Sequence, residues 1–359
     1  MMKTLVIVVL LSLWPLLIMA QRTINLHYLP NMSQSQAESY IGYDAIVVDP
    51  EAPFSSSEAL NQLLAENPDL KIISYINFPE WFNPMFPDKP WSRKVVDFLN
   101  QVPQWWLRGA DGKRISFWPG MQTMNCSADC QRVLINGKEY NYIEFMTEIY
   151  IENILKKYRK FVGTLLDNFW EKGFWIGHYG KNQAGVDING DGRADDSARV
   201  DKSWRKGMEY ALNKIKEFGG PDFIIVANPG SAPFSVSTMF EDFPLVYANE
   251  EDKTYQGWYE NMNLAVSRSA KNRLIIFNAR KDNYWFTLCS SMLIDDVYFA
   301  YVQNSKYDRK WQLNLGRALG AAEVSGEEHY RPYENGIVYV NPRTQSARVV
   351  YTDGTVRDK

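Results

Sequence analysis

The sequence predicts an α/β protein folded as a (β/α)8 TIM barrel with a small β appendage at its C-terminal end. Two observations carry this. Apolar runs of four to eight residues, mostly β-branched or aromatic, alternate with segments of helical period, the pattern of parallel βαβ units. The runs also number eight, which favours a closed barrel over a doubly wound sheet. The 359-residue length permits one such domain, and a composition 45% hydrophobic and 23% charged excludes disordered, collagen-like and coiled-coil chains.

The elements follow in chain order. Residues 1–20 carry Lys3, an apolar run over 5–19 and Ala20 before the polar Gln21-Arg22. This reads as a secretory signal peptide cut after Ala20, and places the mature chain outside the cell, in a periplasm or on the cell surface. An uncleaved anchor is the competing reading, because Ile18 is not small. No later stretch approaches the ~18 apolar residues of a membrane span. The barrel is expected over 21–325, with strands at 24–29, 45–49, 71–77, 161–168, 222–228, 273–279 and 297–302. Ser55 and Glu58 can form a capping box before the Ala59, Leu60, Leu63, Leu64 face. Phe145, Ile149, Leu155 and Tyr158 give residues 142–158 an apolar side, and Trp204, Met208, Leu212, Ile215 and Phe218 repeat at helical spacing until Gly219-Gly220-Pro221. The remaining strand lies at 236–240 or 245–248; the usual length of a parallel crossover prefers the second. Between the third strand and the 142 helix, an insertion at about 79–140 is rich in Pro, Gly and Trp (Trp81, Trp91, Trp105, Trp106, Trp118), too long for a plain loop. Residues 326–359 hold short strands at 337–341, 347–351 and 355–357, with turns at Asn341-Pro342 and Asp353-Gly354.

Composition also limits the chemistry. Thirty-nine Lys and Arg against 42 Asp and Glu leave a formal charge of −3, so no basic field exists to hold nucleic acid. Only His27, His178 and His329 occur, with no HExxH, GxSxG, P-loop or GxGxxG, which removes support for zinc, serine-hydrolase, phosphoryl and hydride chemistry and for any organic cofactor. Cys126 and Cys130 are close enough for a local disulfide, with Cys289 left over. In a barrel the reactive groups gather at the C-terminal ends of strands. Those ends read Asp49, Asn77, Asp167-Asn168, Asn228, an acidic residue near the sixth strand, and Asn278 with Arg280. Paired carboxylates among amides suit glycoside hydrolysis: one protonates the leaving oxygen, the other serves as nucleophile or base, and the amides bind sugar hydroxyls. Twelve Trp suggest that some indoles stack on sugar, Trp170 first among them because it lies three residues past Asp167. No feature points to a protein partner.

The segment Phe161-Val162-Gly163-Thr164-Leu165-Leu166-Asp167-Asn168 resembles the fourth-strand motif of a family of hypothetical secreted TIM-barrel glycoside hydrolases. These are similar in outline to endo-α-1,4-polygalactosaminidase-like barrels. Further matches follow in order: 186–192, Trp204 to Gly207, 226–230, 239–244, 295–301 and 334–342. Val162-Gly163 stands where the family has Asp-Gly, and Ser237-Thr238 where it has a Gly. The resemblance aligns Met239-Phe240-Glu241 with a strand ending in Glu. It therefore implies Asp167 and Glu241 as the catalytic pair, in preference to Glu250 or Glu251, which the crossover length favours. Glu241, flanked by Phe240 and Phe243, is favoured as the acid. The implied activity is hydrolysis of a poly- or oligosaccharide; the alternative is a catalytically inactive carbohydrate-binding barrel.

One loop suggests a metal. Asp187, Asn189, Asp191 and Asp195 occupy positions 1, 3, 5 and 9 of an EF-hand-like loop, with Gly192 at 6 and the Arg193 carbonyl at 7, a spacing that predicts structural Ca²⁺. Position 12 is Ala198, for which Asp196 or Asp201 could substitute.

Overall fold

Eight parallel strands close into a barrel in sequence order: β1 (Arg22–His27), β2 (Ala45–Val48), β3 (Lys71–Asn77), β4 (Phe161–Asp167), β5 (Ile224–Ala227), β6 (Ser237–Phe243), β7 (Ile275–Ala279) and β8 (Val297–Ala300). Each pairs with the next, and β8 returns to β1 through Arg22↔Tyr298 and Ile24↔Ala300. The computed structural model describes residues 21–82, 89–116, 120–179, 184–229, 234, 236–244, 255–269 and 274–358. The chain is a (β/α)8 barrel, as its alternating pattern predicts. The sixth strand takes in 237–240 of the 236–240 candidate and continues through Glu241; the 245–248 candidate lies outside the described residues, as do the signal segment, Trp118, Glu250 and Glu251. Among the described residues no helix is long and apolar enough to cross a membrane.

Side chains at every second position fill the barrel: Ile24 and Leu26, Ala45 and Val47, Ile73, Leu165, Val226, Met239, Ile276, and Tyr298 with Ala300. The N-terminal end is closed by polar groups. Lys71 Nζ and Arg22 Nη1 donate to the Tyr298 hydroxyl at 2.8 and 3.2 Å, and Arg22 pairs with Asp296 at 3.0 Å. The opposite strand faces pack on the helices: α1 (Ser57–Glu66), α2 (Pro90–Gln101), α3 (Tyr142–Tyr150), α4 (Ser197–Gly219), α5 (Tyr255–Ser269) and α6 (Tyr284–Ser291).

Local expectations fare unevenly. The predicted capping box before α1 does not form: Ser55 ends a separate short helix and turns its hydroxyl to the Pro30 and Glu51 carbonyls. A capping box does form at α3, where Asn141 and Glu144 each accept the other's backbone N–H. Past α3 the backbone continues as a π-helix over Ile151–Leu155. In α4 the buried stripe includes Trp204, Met208, Leu212 and Ile215, and Asp196 caps its start through Arg199 N–H at 3.0 Å. Gly207 lets this helix touch the insertion backbone; a Cβ there would lie 1.8 Å from the Cys126 carbonyl oxygen.

The insertion contains α2 and paired short strands, Glu80–Phe82 with Met121–Thr123 and Val133–Ile135 with Lys138–Tyr140. Its described indoles do not form an open sugar surface. Trp81, Trp105 and Trp106 are buried, and of the ten described Trp seven are buried and three partly so. The insertion uses them to build its own apolar core, since a layer of short strands has few aliphatic positions of its own. Cys126, Cys130 and Cys289 are buried free thiols, and burial raises the pKa of each.

The C-terminal sheet has five antiparallel strands, β9 (Glu323–Ser325), β10 (Glu328–Tyr333), β11 (Gly336–Asn341), β12 (Ser346–Tyr351) and β13 (Val356–Asp358). The first two are additional to the expected strands. Their sequences are polar and Pro332 interrupts one, so alternation is lost there. Val338, Val340, Ala347 and Val349 form the buried face, and Trp285 of α6 donates to the Ala347 carbonyl at 2.8 Å.

Candidate active site

The inward alternation of the strands continues past the apolar layers and ends in polar residues. Tyr75 then Asn77 follow Ile73; Asp167 follows Leu165; Asn228 follows Val226; Glu241 follows Met239; Asn278 follows Ile276. Register places Asn77 beside Asp167 and Ala227 beside Leu166, so these ends share one level. The sixth strand reaches that level differently. Its pairing with β7 shifts register between Phe240 and Phe243, and Asp242 takes a φ of 52°, so the strand bulges where Glu241 stands.

Asp167 and Glu241 meet through Asn228. The Asn228 amide nitrogen donates to Asp167 Oδ1 at 2.8 Å and to Glu241 Oε2 at 3.2 Å. Those two oxygens are therefore separated by no more than the sum of the two distances. Asp167 also accepts the Tyr75 hydroxyl at 2.6 Å and the Asn168 backbone N–H at 3.0 Å. Asn168 has a φ of 50°, a left-handed conformation that Asn tolerates, and its side chain donates to Glu80 Oε2 at 2.9 Å. Beneath them Tyr28 and Tyr75 pack with ring centroids 4.7 Å apart, and the Tyr28 hydroxyl reaches the Met239 sulfur at 4.0 Å.

Burial dominates the electrostatics. It raises the Asp167 pKa, while donors from Tyr75, Asn228 and Asn168 pull it back. Burial likewise raises Glu241; the Asn228 hydrogen bond opposes this, and the charges of Asp167 and Asp242 add to it. Glu80 is pushed up to about 7 by burial and then by the Asp167 charge, with the nearby Asn77 amide opposing both. Tyr28 and Tyr75 are raised well above 10 by burial and then by the carboxylate charge, so both phenols remain donors.

The other expected residues sit as follows. Asn77 accepts the Glu80 backbone N–H at 3.2 Å. Asn278 is buried and its Oδ1 has no hydrogen-bond partner. Asp49 is buried against Lys89 at 2.6 Å and accepts the Glu51 N–H at 2.9 Å, a structural engagement. Trp170 is half-buried, edge-on to Trp175 with centroids 4.7 Å apart. Arg280 is exposed and faces Asp282 at 3.6 Å. Three residues escaped the sequence reading: Tyr28, Tyr75 and Glu80. Continuing the period of two along β1 and β3 would have found the tyrosines; Glu80, in the insertion, carries no such signal.

In the Asp187 loop the oxygens are turned to the backbone. Asp187 accepts N–H groups of Gly190 at 2.7 Å and Gly192 at 2.9 Å, Asn189 that of Asp191 at 3.1 Å, and Asp191 that of Arg193 at 2.9 Å. Asp195 accepts from Ile188 at 2.8 Å and from Arg199 at 2.6 Å. Asp196 caps α4, and Asp201 accepts the Gly173 and Phe174 N–H groups. Among the described residues no three His, Cys, Asp or Glu side chains are grouped to hold a metal.

Among solved structures, the chain is similar to a cycloalternan-degrading enzyme from Trueperella pyogenes, at 10% identity over 79% of this chain and 43% of that one, with a TM-score of 0.47. The same enzyme in complex with isomaltose gives 10% identity, 81% and 44% coverage and a TM-score of 0.46. An uncharacterised protein from Listeria monocytogenes, solved with α-D-glucose, β-D-glucose, magnesium and calcium, gives 8% identity, 83% and 30% coverage and a TM-score of 0.46. The chain spans less than half the length of each. No curated protein sequence matches. The family model described as hypothetical glycosyl hydrolase family 15 matches residues 65–337, a span that runs from before β3 into the C-terminal sheet and takes in Glu80, Asp167, Asn228 and Glu241, and the chain belongs to that family.

Proposed function

We propose that this chain is a secreted, retaining glycoside hydrolase acting on a poly- or oligosaccharide, with Asp167 as nucleophile and Glu241 as acid and base. The observation that carries this is the shared Asn228 amide, 2.8 Å from one carboxylate and 3.2 Å from the other. Inverting enzymes hold their carboxyl groups about 6.5–9.5 Å apart to admit a water, and retaining ones about 5–5.5 Å. The Asn228 bridge suits the closer arrangement.

The donors divide the roles. Asp167 accepts three hydrogen bonds, which favour its anion. Glu241 accepts one among the described residues, in buried surroundings beside a negative charge, which favours its acid. In the first step Glu241 gives its proton to the glycosidic oxygen as the bond to the anomeric carbon breaks, and Asp167 attacks that carbon to form a glycosyl ester. In the second step the Glu241 carboxylate takes a proton from water, whose oxygen attacks the same carbon and releases Asp167. Asn278, with a buried unpartnered carbonyl oxygen, is suited to receive a sugar hydroxyl. The N-terminal apolar segment supports export.

The test is a panel of α- and β-linked glucans, galactans and amino-sugar polymers assayed for new reducing ends. The anomer first formed is read by proton NMR, with Asp167→Asn alongside. Retention and a dead variant are expected. Inversion would overturn the nucleophile assignment, and an active Asp167→Asn would overturn the catalytic pair.

A further inference from the structure

Among the described residues, Glu80 is a carboxylate of the site that the proposed reaction does not use. It opens the strand Glu80–Phe82 of the insertion, is 4% exposed, and is held to the strand ends by its backbone, which donates to Asn77 Oδ1 at 3.2 Å. Its Oε2 accepts the Asn168 side chain at 2.9 Å, and its Oε1 is buried with no hydrogen-bond partner. Directly across the two-stranded ladder stands Thr123, whose hydroxyl oxygen is likewise buried and without a partner. A buried carboxylate oxygen with no donor is costly as an anion and much less so as O–H. Glu80 also reaches Asp167 by a single residue: Asn168 binds Glu80 with its side chain and Asp167 with its backbone N–H.

We propose that Glu80 is a positioning residue that works as a neutral acid, locking Asn168 onto the nucleophile without setting a second negative charge beside it. This rests on the reading of Asp167 as nucleophile. The geometry supplies a reason for the choice of residue. An acceptor is needed to hold the Asn168 amide in its left-handed turn, and a carboxylic acid supplies one while its proton remains on the other oxygen. A permanent anion there would raise the pKa of Asp167 and weaken it as an ionised nucleophile. The groups facing Glu80 from each side are Asp167 and Asn168 at the end of β4, Asn77 at the end of β3, and Thr123 on the paired strand; of these Asp167 alone is charged. Burial and that charge push Glu80 up to about 7, in keeping with a proton retained when Asp167 is ionised.

The sign of the consequence for stability is fixed. A carboxyl whose pKa is raised by folding stabilises the folded chain below its unfolded value of about 4.3, and loses that contribution as pH rises through about 7. Glu80→Gln cannot titrate. Melting temperatures of the wild type and Glu80→Gln, measured from pH 4.5 to 8.5, should therefore diverge, the wild type losing several degrees relative to the variant as pH rises. Parallel curves would overturn the neutral acid, and this measurement needs no substrate. The positioning role is read separately on the polysaccharide that the panel identifies. Glu80→Gln keeps an acceptor for Asn168 and should turn over at least tenfold faster than Glu80→Ala. Asn168→Gly, which tolerates the left-handed turn but lacks the amide, should fall with Glu80→Ala and covers the case in which that variant does not fold. Equal losses in Glu80→Gln and Glu80→Ala would overturn the positioning role even with Asp167→Asn inactive; full activity in Asp167→Asn would overturn the catalytic reading on which it rests.

Discussion

In the proposed reaction Asp167 is the nucleophile, and the three donors that converge on it are each a separate handle. The Tyr75 hydroxyl at 2.6 Å lowers the Asp167 pKa against the burial that raises it. Tyr75→Phe removes this donor and should move the acid limb of the kcat/KM profile to higher pH, since Asp167 must be ionised to attack; an unmoved limb would show that the bond does not tune the nucleophile. Glu241→Gln should lower kcat by about 10² or more, the scale of general acid–base catalysis, with the melting curve retained. A variant with wild-type kcat would remove Glu241 from the mechanism. The sequence exposed Asp167 and Asn228 because each stands at the end of an apolar strand, whereas Glu241 came from the family resemblance, crossover length having pointed to Glu250 or Glu251. It concealed Glu80, which lies just past the end of β3 on a short strand paired with Met121–Thr123, where no alternation marks an inward position.

At the scale of elements, the strand–helix alternation was legible because period two and period 3.6 differ plainly in apolar runs. The sixth strand was less so. Crossover length pointed past it, whereas the chain enters β6 soon after β5 and bulges between Phe240 and Phe243. The Asp187 loop is an element of its own, held by Asx hydrogen bonds among its residues. We propose that it takes up calcium weakly as a structural ion. Calcium should raise the melting temperature and Asp191→Ala should erase the gain; identical curves in calcium and in chelator would exclude the site. Where α4 crosses the insertion, Gly207→Ala would push a methyl into the Cys126 carbonyl, backbone against backbone. A loss of about 1–3 kcal/mol in denaturant unfolding is expected, the usual cost of overpacking, and an unchanged midpoint would mean that the two segments separate freely.

The whole molecule is a ring of strands in which seven of the eight contacts join neighbours in sequence. The eighth joins Arg22 to Tyr298, 276 positions apart. Side chains reinforce that seam: Arg22 pairs with Asp296, and Asn25 donates to the Ser305 carbonyl at 2.7 Å. Until the last strand arrives, the seven-stranded chain is an open sheet with two borders of unpaired backbone, β1 with Ile24 and Leu26 on one side and β7 with Ile275 and Phe277 on the other. Such borders adhere to any strand that passes, including those of another copy. Seven strands thus make no smaller version of the barrel, and the arrival of the last strand removes both exposed borders in one event.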